Sequence, residues 1–341
     1  MSKETLEHLN NGTLIGYTEK RGNAWHYRVD LQGGESNHYQ GSIPVEDVHR
    51  RLFNWKAIEG QITATALTDD GVMTTTDPER KAIMRSDTGA ILGIFKSGYR
   101  PHQYDEWLIG NVGSILDADL QIGSAGLLRG GAQAWVQIEM EETLSVAGVD
   151  FRPFLTAATS LDGSLATTYI TGAQVVVCDN TLSAALGGSD RKLKIYHSVN
   201  SMQRLQDARA ALGIVYDVAD AFTEQVNRLT DETVSDSRWA QFVDAYSNPT
   251  AAQKPTAQMV KKAETLQNLW TNDLRVQPWA GTAFGVVQAV NTYVHHLQTV
   301  RGETRSDRNA GRVIEGKVDE LDRSTLQLLA RFKEIVAGVK A

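Results

Sequence analysis

The stretch 165-LATTYITGAQVVVCDNTLSAALGGSDRKLKIYHSV-199 decides the reading of this chain. Thr167 to Val177 is rich in β-branched and aromatic residues and reads as a strand. Cys178-Asp179-Asn180-Thr181 stops it, because Asp, Asn and Thr bond local backbone and favour turns and helix starts. A short helix is expected from Leu182 to Leu186, ended by Gly187-Gly188, and then a basic strand from Arg191 to His197. Before this stretch the pattern is β; after it the pattern is helical.

Working back towards the N-terminus, polar turns separate apolar runs. Ser86-Asp87-Thr88-Gly89 lies between Ala82–Arg85 and Ile91–Phe95, and Gly130-Gly131 lies between Gln121–Leu128 and Ala134–Met140. Asp162-Gly163 lies between Phe151–Thr159 and Leu165–Val177. Each pair reads as a hairpin. A helix is expected from His102 to Leu116, with Trp107, Leu108, Val112 and Ile115 on one side. Residues 1–80 are less regular. Trp25, Tyr27, Val29 and Leu31 alternate as in a strand, Pro44 opens a helix running to Trp55, and Ile62 to Leu67 reads as another strand.

Beyond Ser198 the period changes to that of a helix. Leu205, Ala208, Leu212, Val215, Ala219, Phe222, Val226 and Leu229 form one apolar seam. Further helices are expected over Thr282–Val300 and Ser324–Val339. The fold class is therefore α+β. A mostly antiparallel sheet is built from hairpins with interleaved helices and followed by a helical C-terminal region. Three parts result: an irregular segment with short strands (1–80), a sheet core with helices (81–199) and a helical region (200–341).

Composition narrows the function. Net charge is −7, which argues against a generally basic nucleic-acid coat but leaves room for a local basic groove. Cys178 is the only cysteine, so an intramolecular disulfide framework is excluded and a reducing, cytoplasmic compartment is expected. No apolar run approaches the roughly 20 residues that span a bilayer, so no membrane association is expected. Dinucleotide, phosphate-loop and nucleophile-elbow motifs are absent. Adjacent His295 and His296 point to different sides of a helix and do not form a chelating pair. Cys178 after a Val-rich strand reads as a small buried hydrophobe. No catalytic residue, metal site or cofactor is assigned.

Two basic constellations stand out. In Arg191–His197, Lys192, Lys194 and Tyr196 share one strand face. Arg301, Arg305, Arg308 and Arg312 share one face if the segment is helical, and such guanidinium groups track phosphates.

The runs MRSDTGAILGIFKSGYRPHQYDEWL (84–108), AGLLRGGAQAWV (125–136) and GVDFRPFLTAATSLDGSLATT (148–168) carry a family resemblance. So do VVVCDNTLSAAL (175–186), IYHS (195–198), Ala24-Trp25-His26 and WAGTAFGVVQAVNTYVHH (279–296). Together they resemble the phage/plasmid-like proteins of unknown function found in phages and mobile elements. The resemblance implies a mobile-element context and carries over no catalytic residue.

The expected function is single-stranded DNA binding by an oligomeric phage protein, with strand annealing or recombination as the expected setting, since hairpins plus helices without nucleotide motifs suit an ATP-independent annealing protein. Arg85, Lys96, Tyr99, Arg100, Arg129, Lys192, Lys194 and Tyr196 are the expected DNA contacts in the sheet core, with Arg301, Arg305, Arg308 and Arg312 in the helical region. The alternatives are a structural or host-factor interaction protein that assembles as a homo-oligomer, and a metal-dependent nucleic-acid enzyme using Asp179, His102 or His197.

If Lys192 and Lys194 contact phosphate, replacing both with Ala weakens single-strand binding equally across sequences. The slope of log affinity against log salt then falls by about 0.7 per lost contact, and an oligonucleotide titration at several salt concentrations reads it directly.

Overall fold

Polar turns between β-branched runs do produce antiparallel hairpins. In the computed structural model the described residues are 11–23, 29–31, 34–110, 116, 120–140, 142–175, 181–182, 192–195, 220–250, 254–302, 305, 308–309, 311–312 and 317–332. Only the backbone is described for residues 21, 31, 170–175, 181–182, 192–195 and 319. The chain divides into two compact units. Unit 1 takes residues 1–142, 154–171 and 190–216; unit 2 takes 143–153, 172–189 and 217–341.

In unit 1 the strands are β1 (Thr13–Ile15), β2 (Ala57–Thr68), β3 (Gly71–Arg85), β4 (Ile91–Lys96), β5 (Leu120–Leu128) and β6 (Gln133–Met140). Three more follow in chain order, β8 (Val149–Ser160), β9 (Thr167–Val175) and β11 (Lys192–Ile195), of which residues 149–153 and 172–175 are assigned to unit 2. The main sheet is antiparallel in the order β1-β5-β6-β8-β9-β11, and β2-β3-β4 form a second sheet. The β5–β6 hairpin turns at Gly130 and Gly131, both at positive φ, and the register Leu128↔Gln133 closes it. Helix α1 (Val45–Leu52), with acids in its first turn and His49, Arg50 and Arg51 in its last, places Val48 and Leu52 in the core. The core takes Ile122, Ala125 and Leu127 from β5, Ala134, Val136 and Ile138 from β6, and Leu155 and Ala157 from β8. Phe53, Trp55, Tyr104 and Trp107 complete it.

In unit 2, β7 (Leu144–Val146) pairs with Val149–Phe151, and β10 (Thr181–Leu182) pairs with Gln174 and Ala173. The rest is helical: α2 (220–231), α3 (Asp236–Ser247), α4 (Ala257–Asn272), α5 (Ala283–Thr292) and α6 (Lys317–Leu329). Ser235, Thr256 and Thr282 cap α3, α4 and α5 by accepting from the backbone N–H three residues on. Helix α5 continues into a π-helical turn, Tyr293–Leu297. Every residue of α5 is buried, so this helix is the hub on which α4 and α6 pack. Gly285 is required there, because a Cβ would run into the Trp279 carbonyl.

Four local expectations are corrected. Val29–Leu31 forms a 3₁₀ turn and no strand; alternation alone makes no strand without a partner, and Asp30 favours local bonds. Leu182 lies in β10, where pairing to β9 overrides the helix-start signal. The helix expected from His102 starts later, as a π-helical turn over Asp105–Gly110, because Gln103 bonds both backbone groups of Ala57 and keeps the preceding chain extended; residues 111–115 of that expectation lie outside the described residues. The last helix begins at Lys317 and its regular part ends at Leu329. Residues 24–28, 183–191 and 201–219, on which other expectations fall, lie outside the described residues.

Arg238 ties the ends of this helical unit together. Its guanidinium donates to the Phe332 carbonyl (2.7 Å), the Thr233 carbonyl (2.9 Å) and Glu232 Oε1 (2.7 Å). The Arg238→Leu variant removes the bonds of this buried guanidinium to partly exposed acceptors and should lose about 2 kcal/mol of stability, measured as a lower denaturant midpoint.

Candidate nucleic-acid interface

A helix buried on all sides should be apolar, and α5 is not. Gln288, Asn291, Thr292 and His295 repeat at helical spacing and form one polar stripe, all of it buried. Asn291 Nδ2 donates to Asp322 Oδ1 on α6 (2.8 Å). His295 is 5% exposed, and its Nε2 has no hydrogen-bond partner among the described residues. Burial, with the neighbouring charges of His296, Arg312 and Arg308, pushes its pKa down to about 3. At neutral pH this imidazole is uncharged.

The end of α5 gathers cations. Its last carbonyls carry partial negative charge and need donors. Arg305 Nη1 donates to the His295 carbonyl (3.3 Å), Asn309 Nδ2 to the same oxygen (3.1 Å), and Arg308 Nη2 to the Val294 carbonyl. Arg312 is close enough to influence both His295 and Tyr246. From α4, Lys262 Nζ sits 3.7 Å from the Tyr246 ring centre and 5.9 Å from that of Tyr293, and donates to the Tyr246 carbonyl (2.8 Å). Partial burial lowers the Lys262 pKa and raises that of Tyr246 to about 12. Among the described residues no carboxylate makes an ion pair with Lys262, Arg305 or Arg312. Lys262, Arg305, Arg308, Arg312, Tyr246 and Tyr293 are each only partly buried. The result is a cationic, aromatic-edged patch in an acidic chain.

The expected contacts in unit 1 have other company. Arg85 is clamped: it makes a two-point contact with Asp87 (3.0 and 2.7 Å), donates to the Gly130 carbonyl (2.9 Å) and lies 4.2 Å from the Trp55 ring centre. Arg129 lies 3.5 Å from Asp162, and Arg100 lies 3.6 Å from Glu59. Tyr99 stacks on Phe95 at 3.8 Å and its hydroxyl donates to the Ser160 carbonyl (3.4 Å). Lys96 is exposed at the end of β4. The β11 backbone places Lys192 opposite Ile170 and Lys194 opposite Thr168; Tyr196 lies outside the described residues. Arg301 is exposed. His102 is buried, stacked on Trp107 and hydrogen-bonded through Nδ1 to Thr167 Oγ1 (2.6 Å), while Asp179 and His197 lie outside the described residues.

The structure thus brings Arg305, Arg308 and Arg312 together, and sets Arg85 against the β5–β6 turn that Arg129 begins. Sequence reading missed Lys262, Tyr246, Tyr293 and His295 as neighbours of the arginines. The polar stripe 288/291/292/295 in an apolar helix was the available signal.

Residues 91–314 match a family model described as a domain of unknown function, DUF932. The chain belongs to the DUF932 family. The DUF932 match begins at β4 and ends just after Arg312, so it encloses α5 and the arginine cluster. It leaves the whole β2–β3 hairpin outside. No curated protein and no solved structure matches the chain.

His295 gives DUF932 behaviour here a pH signature. Its folded pKa lies below its unfolded value, so the unfolded chain binds more protons between the two and stability falls as pH drops through that window. From pH about 6.5 downwards the loss approaches about 1.4 kcal/mol per pH unit. Down to about pH 5.5 ordinary carboxylates stay almost fully ionised, so His295→Gln should flatten the melting temperature against pH between about 6.5 and 5.5.

Proposed function

We propose that this protein binds single-stranded DNA through the basic end of its helical unit and does no covalent chemistry there. One observation carries the reading: Lys262, Arg305, Arg308 and Arg312 converge with Tyr246 and Tyr293 at the end of α5, in a chain whose net charge is −7. A single-strand binder needs a cationic track for phosphates and π faces for bases, and needs no general acid or base. Lys192 and Lys194 on β11, with exposed Lys96 and Arg301, extend the set of phosphate contacts. The clamped Arg85 and the acid-neighboured Arg100 and Arg129 contribute less, because their charge is already balanced. The resemblance to phage and mobile-element proteins makes strand annealing during recombination the fitting role.

A fluorescein-labelled oligothymidylate titrated with the full chain at low and moderate salt tests this. Binding should weaken steeply with salt. The double variant Lys262→Ala/Arg312→Ala should bind more weakly and reduce the salt slope by about 0.7 for each lost contact. A folded protein that fails to bind at low salt overturns the proposal.

A further inference from the structure

The end of α5 holds donors in reserve. Arg305 gives one Nη to the His295 carbonyl, and Arg308 gives Nη2 to the Val294 carbonyl and to Asn309 Oδ1 (3.3 Å). A guanidinium carries five N–H donors, so Arg305 is far from exhausted by this capping. Arg312 makes no hydrogen bond among the described residues, and its Nε is shut off from water. His295 Nε2 is in the same state, on a side chain that is 5% exposed. Arg312 is among the charges that act on His295, so the two side chains are neighbours. They do not bond each other, and an oxygen set between them would accept from both. The neutral imidazole donates from Nε2 when its one proton sits there.

Buried donors without an acceptor are rare, because the cost of drying them is not returned. Here they flank the π-helical turn Tyr293–Leu297, and such turns recur at functional sites. The missing acceptor has a definable chemistry. Among the described residues no carboxylate pairs with Arg305 or Arg312. The last carbonyls of α5 are worth about half an elementary negative charge, against three guanidinium groups, so a dianion suits the place better than a neutral group. Depth decides between kinds of phosphate. An internal phosphodiester is bonded to sugars on two sides and stays at a surface. A phosphate bonded on one side, or free, can reach a donor as deep as His295. Arg312 is only partly buried, so its side chain can swing aside to admit it.

We propose that the end of α5 binds a dianionic phosphate, free or at the end of a single strand, with its oxygens accepting from Arg312 Nε and His295 Nε2. The strand-end form rests on the single-strand binding proposed for this protein; the free form does not.

Oligothymidylates carrying a 5′-phosphate, a 3′-phosphate or hydroxyl ends only are titrated with the full chain at one ionic strength. A terminal phosphate should tighten binding about tenfold or more. Millimolar inorganic phosphate should erase that advantage, whereas chloride at matched ionic strength should not. The same phosphate should raise the melting temperature of the chain without DNA. Arg312→Lys keeps the charge but loses Nε, and it should lose both effects, as should His295→Gln. Circular dichroism checks both folds, and the wild-type comparisons decide alone if a variant does not fold. A phosphate-dependent melting temperature with no preference for phosphorylated ends assigns the site to free phosphate. A phosphate response without oligonucleotide binding keeps the site and removes the single-strand reading. Oligonucleotides that bind alike, with a melting temperature indifferent to phosphate, overturn the site and leave single-strand binding standing. Folded variants that keep both effects overturn it as well.

Discussion

Helix α5 is buried on every side, and the helical unit depends on that burial. Its apolar residues Ala283, Phe284, Val286, Val287 and Val290 supply the driving force through area removed from water. The same burial makes each polar group on it expensive. Asn291 meets this demand with Asp322, whereas His295 meets it by staying neutral. The carbonyls at the end of the helix meet it with Arg305 and Arg308. The cationic patch thus arises from the need to terminate a buried helix. Arginine suits this task because its fork of donors can satisfy a carbonyl and still present charge outward.

Most cations of both units sit beside an acid, Arg238 beside Glu232 and Arg275 beside Asp273 in unit 2. In unit 1, Arg85, Lys81, Arg100, Arg129 and Lys56 each have an acid in reach. Such exposed pairs add little stability, but they cancel the long-range field. Arg85 is the exception in energy: its stacking on Trp55 and its bond to Gly130 join the β2–β3–β4 sheet to the β5–β6 turn. At the end of α5, Lys262, Arg305 and Arg312 make no ion pair with a carboxylate among the described residues.

The bulge at Pro78 has a comparable logic. It ends pairing to β4 on one side of β3 and frees the rest of the hairpin to project. Threonine pairs across the hairpin, Thr63 with Thr76 and Thr65 with Thr74, hold its two strands in register without any core beneath them.

Local chemistry in the sequence determined most of the elements. Gly130-Gly131 and Ser86–Gly89 placed two hairpins, because turns need positive φ or side-chain bonds that few residues supply. Apolar periodicity determined α5 and the α+β class, since both follow from which face must leave water. Tertiary structure alone decided the rest. Gln103 reaches across to Ala57 and delays the start of the helix expected from His102. Leu182 joins a strand because β9 offers an edge. Arg85, legible only as a basic residue beside a turn, is spent on Asp87, Gly130 and Trp55. Lys262 and Tyr246, far from the arginines in sequence, join them because α3 and α4 pack where α5 ends. Charge and spacing are local quantities, but whether a cation is neutralised depends on what folding sets beside it.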